Sequence, residues 1–244
     1  MLQVQVLLQT LPAIWPVGSG AAAQERDSFE GLDSKGYTIL KETRIADLRL
    51  WDPMDRDKST VQYVRRITVM KDPDELEHDN EFFIKLTPTH NDAQVRFPPQ
   101  RLSPTLVKTP DKPDPSTPTK QSMWGVIYDF TNVPKGRVEE LNVVDQDHGV
   151  SLGSNSTGSN LTFHTWAYRA ALSMWILMPQ GKAYGSWLLT RRSEARGRAD
   201  DPKREGVEVV TPIEQFVSND SSIIGFELVG VKGGYTYDIN WTYK

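Results

Sequence analysis

The chain has 244 residues, 38% hydrophobic and 25% charged, with a formal net charge of −4 and no cysteine. Without cysteine there are no disulfides, no thiolate metal sites, no thiol nucleophiles and no iron–sulfur clusters. A slightly acidic chain carries no global basic field of the kind that drives nucleic-acid binding, so a nucleic acid would have to be met through a local basic patch.

The first 24 residues read as an N-terminal extension or an edge strand. Val4, Val6 and Leu8 alternate with glutamines, and Gly18 to Gln24 is a run of small residues. The apolar centre and the Ala21-Ala22-Ala23 end also have some features of a secretory leader, but no basic residue precedes the apolar part. No run approaches the roughly 20 apolar residues of a membrane span. Residues 25–244 are expected to form a single β-sandwich domain.

Tyr37 to Trp51 reads as one or two strands. Thr60 to Lys71 is a clear strand rich in β-branched residues, with Val61, Tyr63 and Arg65 on one side and Gln62, Val64 and Arg66 on the other. An acidic loop follows from Asp72 to Asn80, and Glu81 to Thr87 is another strand. Residues 98–120 contain seven prolines. Proline lacks an amide hydrogen and fixes φ, so this stretch is expected to be an extended surface excursion with no interior strand. Ser122 to Thr131 and Arg137 to Asp145 are strands joined by the turn Asn132 to Gly136, and Gln146 to Ser159 reads as a polar loop.

Leu161 to Arg192 holds Trp166, Trp175 and Trp187 and the longest apolar run, Ala170 to Met178. Pro179-Gln180-Gly181 favours strand–turn–strand from about residue 170 to 190. The spacing of Phe163, Trp166, Ala170, Met174 and Met178 leaves a helix before Pro179 as the alternative. Ser222 to Val231 and Tyr235 to Tyr243 form a hairpin over Lys232-Gly233-Gly234. In the last strand Tyr235, Tyr237, Ile239, Trp241 and Tyr243 share one face.

Nine or ten short strands without strand–helix alternation predict an all-β fold: an antiparallel β-sandwich, jelly-roll-like, with long loops and at most one or two short helices. The chemistry-bearing candidates are few. Asp145-Gln146-Asp147-His148-Gly149 has carboxylates two apart but lacks the downstream glutamate of a calcium loop, and reads as a solvated turn. The histidines His78, His90, His148 and His164 have no zinc-site spacing. Glu139, Glu140 and Asp129 border strands, and the sequence does not rank them above other acids as a hydrolase pair. No nucleophile elbow or phosphate-binding glycine loop is present, so a non-enzyme without cofactor is expected. Arg191, Arg192, Arg196, Arg198, Lys203 and Arg204 form a basic cluster that would meet a phosphate backbone or an acidic partner. Tyr237, Trp241 and Tyr243 are the candidate aromatic surface, because aromatic rings stack on sugar faces.

Three segments resemble viral capsid proteins of the single jelly-roll type. Tyr37-Thr38-Ile39-Leu40-Lys41 is similar to an opening strand there. Ser122-Met123-Trp124-Gly125-Val126-Ile127-Tyr128-Asp129 resembles a mid-barrel strand ending in Tyr-Asp, and Tyr235 to Lys244 looks like a closing strand. The resemblance implies a structural protein that assembles with itself into a shell, located in a virion. The chain departs from the pattern in having no Arg/Lys-rich N-terminal arm. The alternative is an exported binding module for carbohydrate or another ligand, secreted or periplasmic.

Overall fold

The computed structural model describes residues 21–26, 34–52, 59–86, 94–109, 112–113, 120–121, 124–148, 158–193 and 206–244. The edge strand expected around Val4, Val6 and Leu8 lies outside them. The strands in chain order are β1 (Gln24–Glu25), β2 (Tyr37–Asp47), β3 (Thr60–Lys71), β4 (Glu81–Leu86), β5 (Gln94–Arg96), β6 (Pro104–Lys108), β7 (Lys112–Pro113), β8 (Lys120–Gln121), β9 (Trp124–Asp129), β10 (Val138–His148), β11 (Gly158–Thr165), β12 (Arg169–Leu177), β13 (Tyr184–Ser193), β14 (Glu208–Val209), β15 (Glu214–Val217), β16 (Ile223–Val231) and β17 (Tyr235–Tyr243). The fold is all-β, and no helix occurs among the described residues.

A seven-stranded sheet in the order β15-β16-β12-β2-β3-β10-β5 is the backbone of the structure. Two four-stranded sheets, β1-β6-β9-β4 and β11-β17-β13-β14, cover one face of it. Strand β3 shows how one face serves both. Its odd positions share a side because side chains alternate along a strand. Val61 packs in the core beneath the second small sheet, with Leu172, Ile176, Phe226, Tyr237 and Ile239. Ile67 and Val69 pack in the core beneath the first, with Phe82, Ile84, Val126, Tyr128 and Leu141. Tyr63 packs against the core beneath the second sheet, and Arg65 lies next along the strand, before Ile67.

The antiparallel expectation needs one correction. Strand β2 pairs in parallel with β12, Ile45 opposite Trp175, and β1 pairs in parallel with β6. A parallel pair needs a long connection, and here the whole of β3 to β11 supplies it. The remaining pairs are antiparallel.

The proline-rich stretch also departs from expectation. Strand β6 lies between β1 and β9. Pro104 opens the strand, and residues 105–108 contain no proline, so the ladder loses no interior donor.

The tryptophan-rich segment is strand–turn–strand. Strands β12 and β13 flank a turn in which the Lys182 amide donates to the Pro179 carbonyl at 2.9 Å and Gly181 takes a φ of 74°. The expected β16–β17 hairpin does not form. The Lys232-Gly233-Gly234 link is tight, with Gly234 at a φ of 78°, but β16 pairs with β12 and β15 in the seven-stranded sheet and β17 with β11 and β13 in a small one, so the turn carries the chain from one sheet to the other. A Cβ on Gly233 would come within 2.8 Å of the Trp166 carbonyl, so that backbone approach requires glycine.

Candidate functional site

The aromatic row of β17 faces the core. Tyr237 and Trp241 are buried, Tyr237 stacks on Phe163 with ring centroids 5.0 Å apart, and Tyr243 is half-buried at the rim. The expected aromatic surface is therefore core. The cause is the sheet face: the opposite side of the same three strands carries Thr162, His164, Thr236, Asp238, Asn240, Thr190 and Arg192, and polar groups take the water side.

The basic cluster does not form one surface in its described part. Arg191 and Arg192 are neighbours on β13 and point to opposite faces. Arg191 is paired with Glu208 at 2.8 Å and lies over the Tyr235 ring. Arg192 lies 3.8 Å from Asp238 on the outer face. Arg196, Arg198, Lys203 and Arg204 lie outside the described residues. Glu139 and Glu140 are split in the same way. Glu139 turns inward and pairs with Arg101 and Arg137, and Glu140 turns outward to Arg66. Neighbours on one strand cannot present a carboxylate pair to one substrate.

Asp129 sits in a cleft of about 510 Å³ with Asp79, Asn80, Glu81, Thr105, Ile127 and Thr131. Its carboxylates already hold protein donors. Asp79 accepts from the Lys35 amide at 2.6 Å, Glu81 from Arg26 at 3.3 Å, and Asp129 from the Thr131 amide at 2.8 Å. Bonds from the Thr131 hydroxyl and amide lower the Asp129 carboxyl below its usual range. Among the described residues no group of three or more histidines and acids is placed to hold a metal ion.

The densest constellation includes Asp145 and Asp147, expected on a solvated turn, and charged residues of β2, β3 and β12 that no sequence motif marks. It crosses the inner face of the seven-stranded sheet diagonally, beneath the junction of the two small sheets. Asp145 and Asp147 come from β10, Tyr63 and Arg65 from β3, Glu42 and Arg44 from β2, and Arg169 from β12. Glu42 and Asp147 are fully buried, and Arg169 and Asp145 are 3% and 5% exposed. Glu42 Oε1 accepts from Arg44 Nε at 2.7 Å and from Arg65 Nη2 at 2.9 Å, and its other oxygen accepts from Arg169 Nε. The guanidiniums then reach outward. Arg44 Nη2 donates to the His164 carbonyl of β11 at 3.1 Å, and Arg65 Nη1 to the Lys85 carbonyl of β4 at 2.8 Å. Strands β4 and β11 are the edges of their respective sheets. Above the seam, the Lys85 ammonium lies 4.2 Å from the Trp166 ring centroid, and His164 stacks on that ring at 5.5 Å.

The electrostatics follow from burial. Desolvation by itself would raise the Glu42 carboxyl, but Arg44, Arg169 and Arg65 outweigh it and hold it well below the ordinary range. Burial lowers the Arg44 guanidinium to about 10. Asp145 goes the other way. Burial first, then the charge of Asp147, push its carboxyl up to about 7, against a smaller opposing pull from Arg65 and Arg44.

No protein-family model matches the chain, and no curated protein is detectably similar to it in sequence. Solved structures similar to it include leukotriene A4 hydrolase from Saccharomyces cerevisiae, at 9% identity and a TM-score of 0.43, over 97% of this chain and 33% of that one. The yeast enzyme with bestatin bound gives 10% identity and a TM-score of 0.40, over 96% and 32%. A two-domain M1 zinc metallopeptidase gives 10% identity and a TM-score of 0.39, over 93% and 44%. The chain thus spans less than half the length of each of these proteins.

Proposed function

We propose that the chain is a structural subunit that assembles with copies of itself, in the manner of a coat protein and without chemistry of its own. The observation that carries this reading is an apolar margin on the edge strands. Val207, Val209 and Ile213 are 69%, 67% and 58% exposed, and Leu188 on β13 is 48% exposed. Val209 and Leu188 lie on the outer face of the β11-β17-β13-β14 sheet, where β14 is the edge. Ile213 adjoins β15, the edge of the seven-stranded sheet. An edge strand offers unsatisfied main-chain groups, and apolar side chains beside it favour addition of another strand. In such an assembly the margin would be the contact between copies, and the compartment would be a virion.

The competing reading, an exported carbohydrate-binding module, draws less support. Tyr237 and Trp241 are buried, and Trp166 has Lys85 over its ring and His164 stacked on it. Sedimentation of the purified chain over a range of concentrations separates the two. The assembly reading expects species heavier than the monomer that are lost in Val209→Lys. A wild-type chain that stays monomeric at every concentration and salt level would sink it.

No helix of the described residues is long and apolar enough to cross a membrane.

A further inference from the structure

The seam beneath the two small sheets balances three guanidiniums against three carboxyl groups. The positive set is Arg44, Arg65 and Arg169, and the negative set is Glu42, Asp145 and Asp147. The balance is not even in space. Glu42 takes all three arginines. Asp145 and Asp147 lie two residues apart on the same face of β10, both buried, so that two like charges share one low-dielectric pocket.

The groups around Asp145 come from every element packed there. Asp147 lies on its own strand, Tyr63 directly opposite and Arg65 further along on β3, and Arg44 with Glu42 on β2. Arg169 lies on β12. Strand β5 contributes apolar Val95 opposite Asp145, with Arg96 on the other face. From the covering sheets, β4 and β11 present the Lys85 and His164 carbonyls to the arginines. The Lys85 ammonium is turned onto Trp166, and His164 Nδ1 lies 3.1 Å from the Thr236 hydroxyl.

The two arginines that hold the covering sheets, Arg65 and Arg44, are also the cations whose charge acts on Asp145. We propose that the seam is a proton-controlled latch. With Asp145 protonated, Arg44 and Arg65 stay on the carbonyls of the two edge strands. When Asp145 gives its proton to solvent, its charge and the repulsion from Asp147 draw water and the guanidiniums toward β10, and β4 and β11 loosen together. The latch is closed in acid and slack in alkali. It needs no partner and does not depend on self-assembly.

Hydrogen exchange of the full chain tests it, with rates corrected for intrinsic chemistry and measured from about pH 5 to about pH 9. Peptides covering β4 and β11 are expected to lose protection by roughly tenfold across a step near neutrality, while β16 keeps its protection. Asp145→Asn should remove the step, and Asp147→Asn should move it to lower pH by removing the like charge. Infrared spectra of wild-type protein carrying labelled aspartate should show a protonated carboxyl at about pH 5.5 that disappears across the same step. That measurement stands even if the variants fail to fold. Equal protection of β4 and β11 at both ends of the range, a step that survives in Asp145→Asn, or no protonated aspartate at the acid end would each overturn the latch.

Discussion

Arg44 and Arg65 stand opposite each other in the register of β2 and β3, and their guanidiniums leave in opposite directions. One reaches the His164 carbonyl on the edge of one small sheet, the other the Lys85 carbonyl on the edge of the other. A single oxygen of Glu42 holds both. The two sheets that share a foundation are therefore clamped to it from one point.

Glu42 should be the costliest single polar residue to alter. Glu42→Gln leaves three guanidiniums without their common counter-charge in a dry site, which is expected to cost about 3–5 kcal/mol. Urea unfolding gives the value directly. A loss below about 1 kcal/mol would mean that water enters the seam and screens the arginines.

The stability of the wild type should fall as pH rises through neutrality. Asp145 titrates near its ordinary value of 3.8 when unfolded and at about 7 when folded. The folded state thus holds the proton more tightly. Its contribution is complete below about pH 4 and is lost as pH rises through about 7, amounting to a few kcal/mol at most. Asp145→Asn should flatten this slope, equalling the wild type in acid and exceeding it at about pH 8. Thermal melts at a series of pH values read the crossover.

Gly225 lies under the Trp175 ring. A Cβ there would come within 2.6 Å of the ring, and that ring stacks on Phe216 with centroids 4.7 Å apart. Gly225→Ala is expected to destabilise by about 1–3 kcal/mol through overpacking. Trp175→Leu in the same chain should recover part of that loss in urea titrations, because the clash is with the ring.

Trp166 offers a contrast with the charges beneath it. It is 46% exposed, and its cation–π contact with Lys85 is open to solvent. Trp166→Ala should cost no more than about 1 kcal/mol. A loss equal to that of Glu42→Gln would show that the contact over the seam, and not the ion cluster below, holds the two sheets together.

Much of this fold can be read from alternation. The two faces of β3, the inward row of β17 and the tight turns at Pro179 and Gly233-Gly234 follow from period-two patterns and from residues that fix φ, but not that the second turn joins two sheets in place of two paired strands. The seam does not, because charged residues on a core face break the pattern that identifies the face. Asp145-Gln146-Asp147 reads as a solvated turn, yet it is the inward edge of an eleven-residue strand. Its carboxyl groups are buried because two separate sheets meet above them, and that junction is made by residues far apart in the chain. Glu42 and Arg44 disturb the alternation of β2 for the same reason, and a β-bulge between Ile39 and Lys41 shifts its phase further. Strand β6 was hidden by the prolines around it.

The pairing of β2 with β12 bears on how the chain acquires its shape. Arg169 meets Glu42 across 127 positions of sequence. Hairpins such as β15–β16 close locally and early, while the parallel junction must wait until nearly everything between has been made and placed. Until then one side of β2 has no neighbour and its glutamate lacks one of its three cations. The chain should fold slowly, with the two halves joining last. During that interval the bare flank of β2 is where a stray strand from another molecule would most readily add.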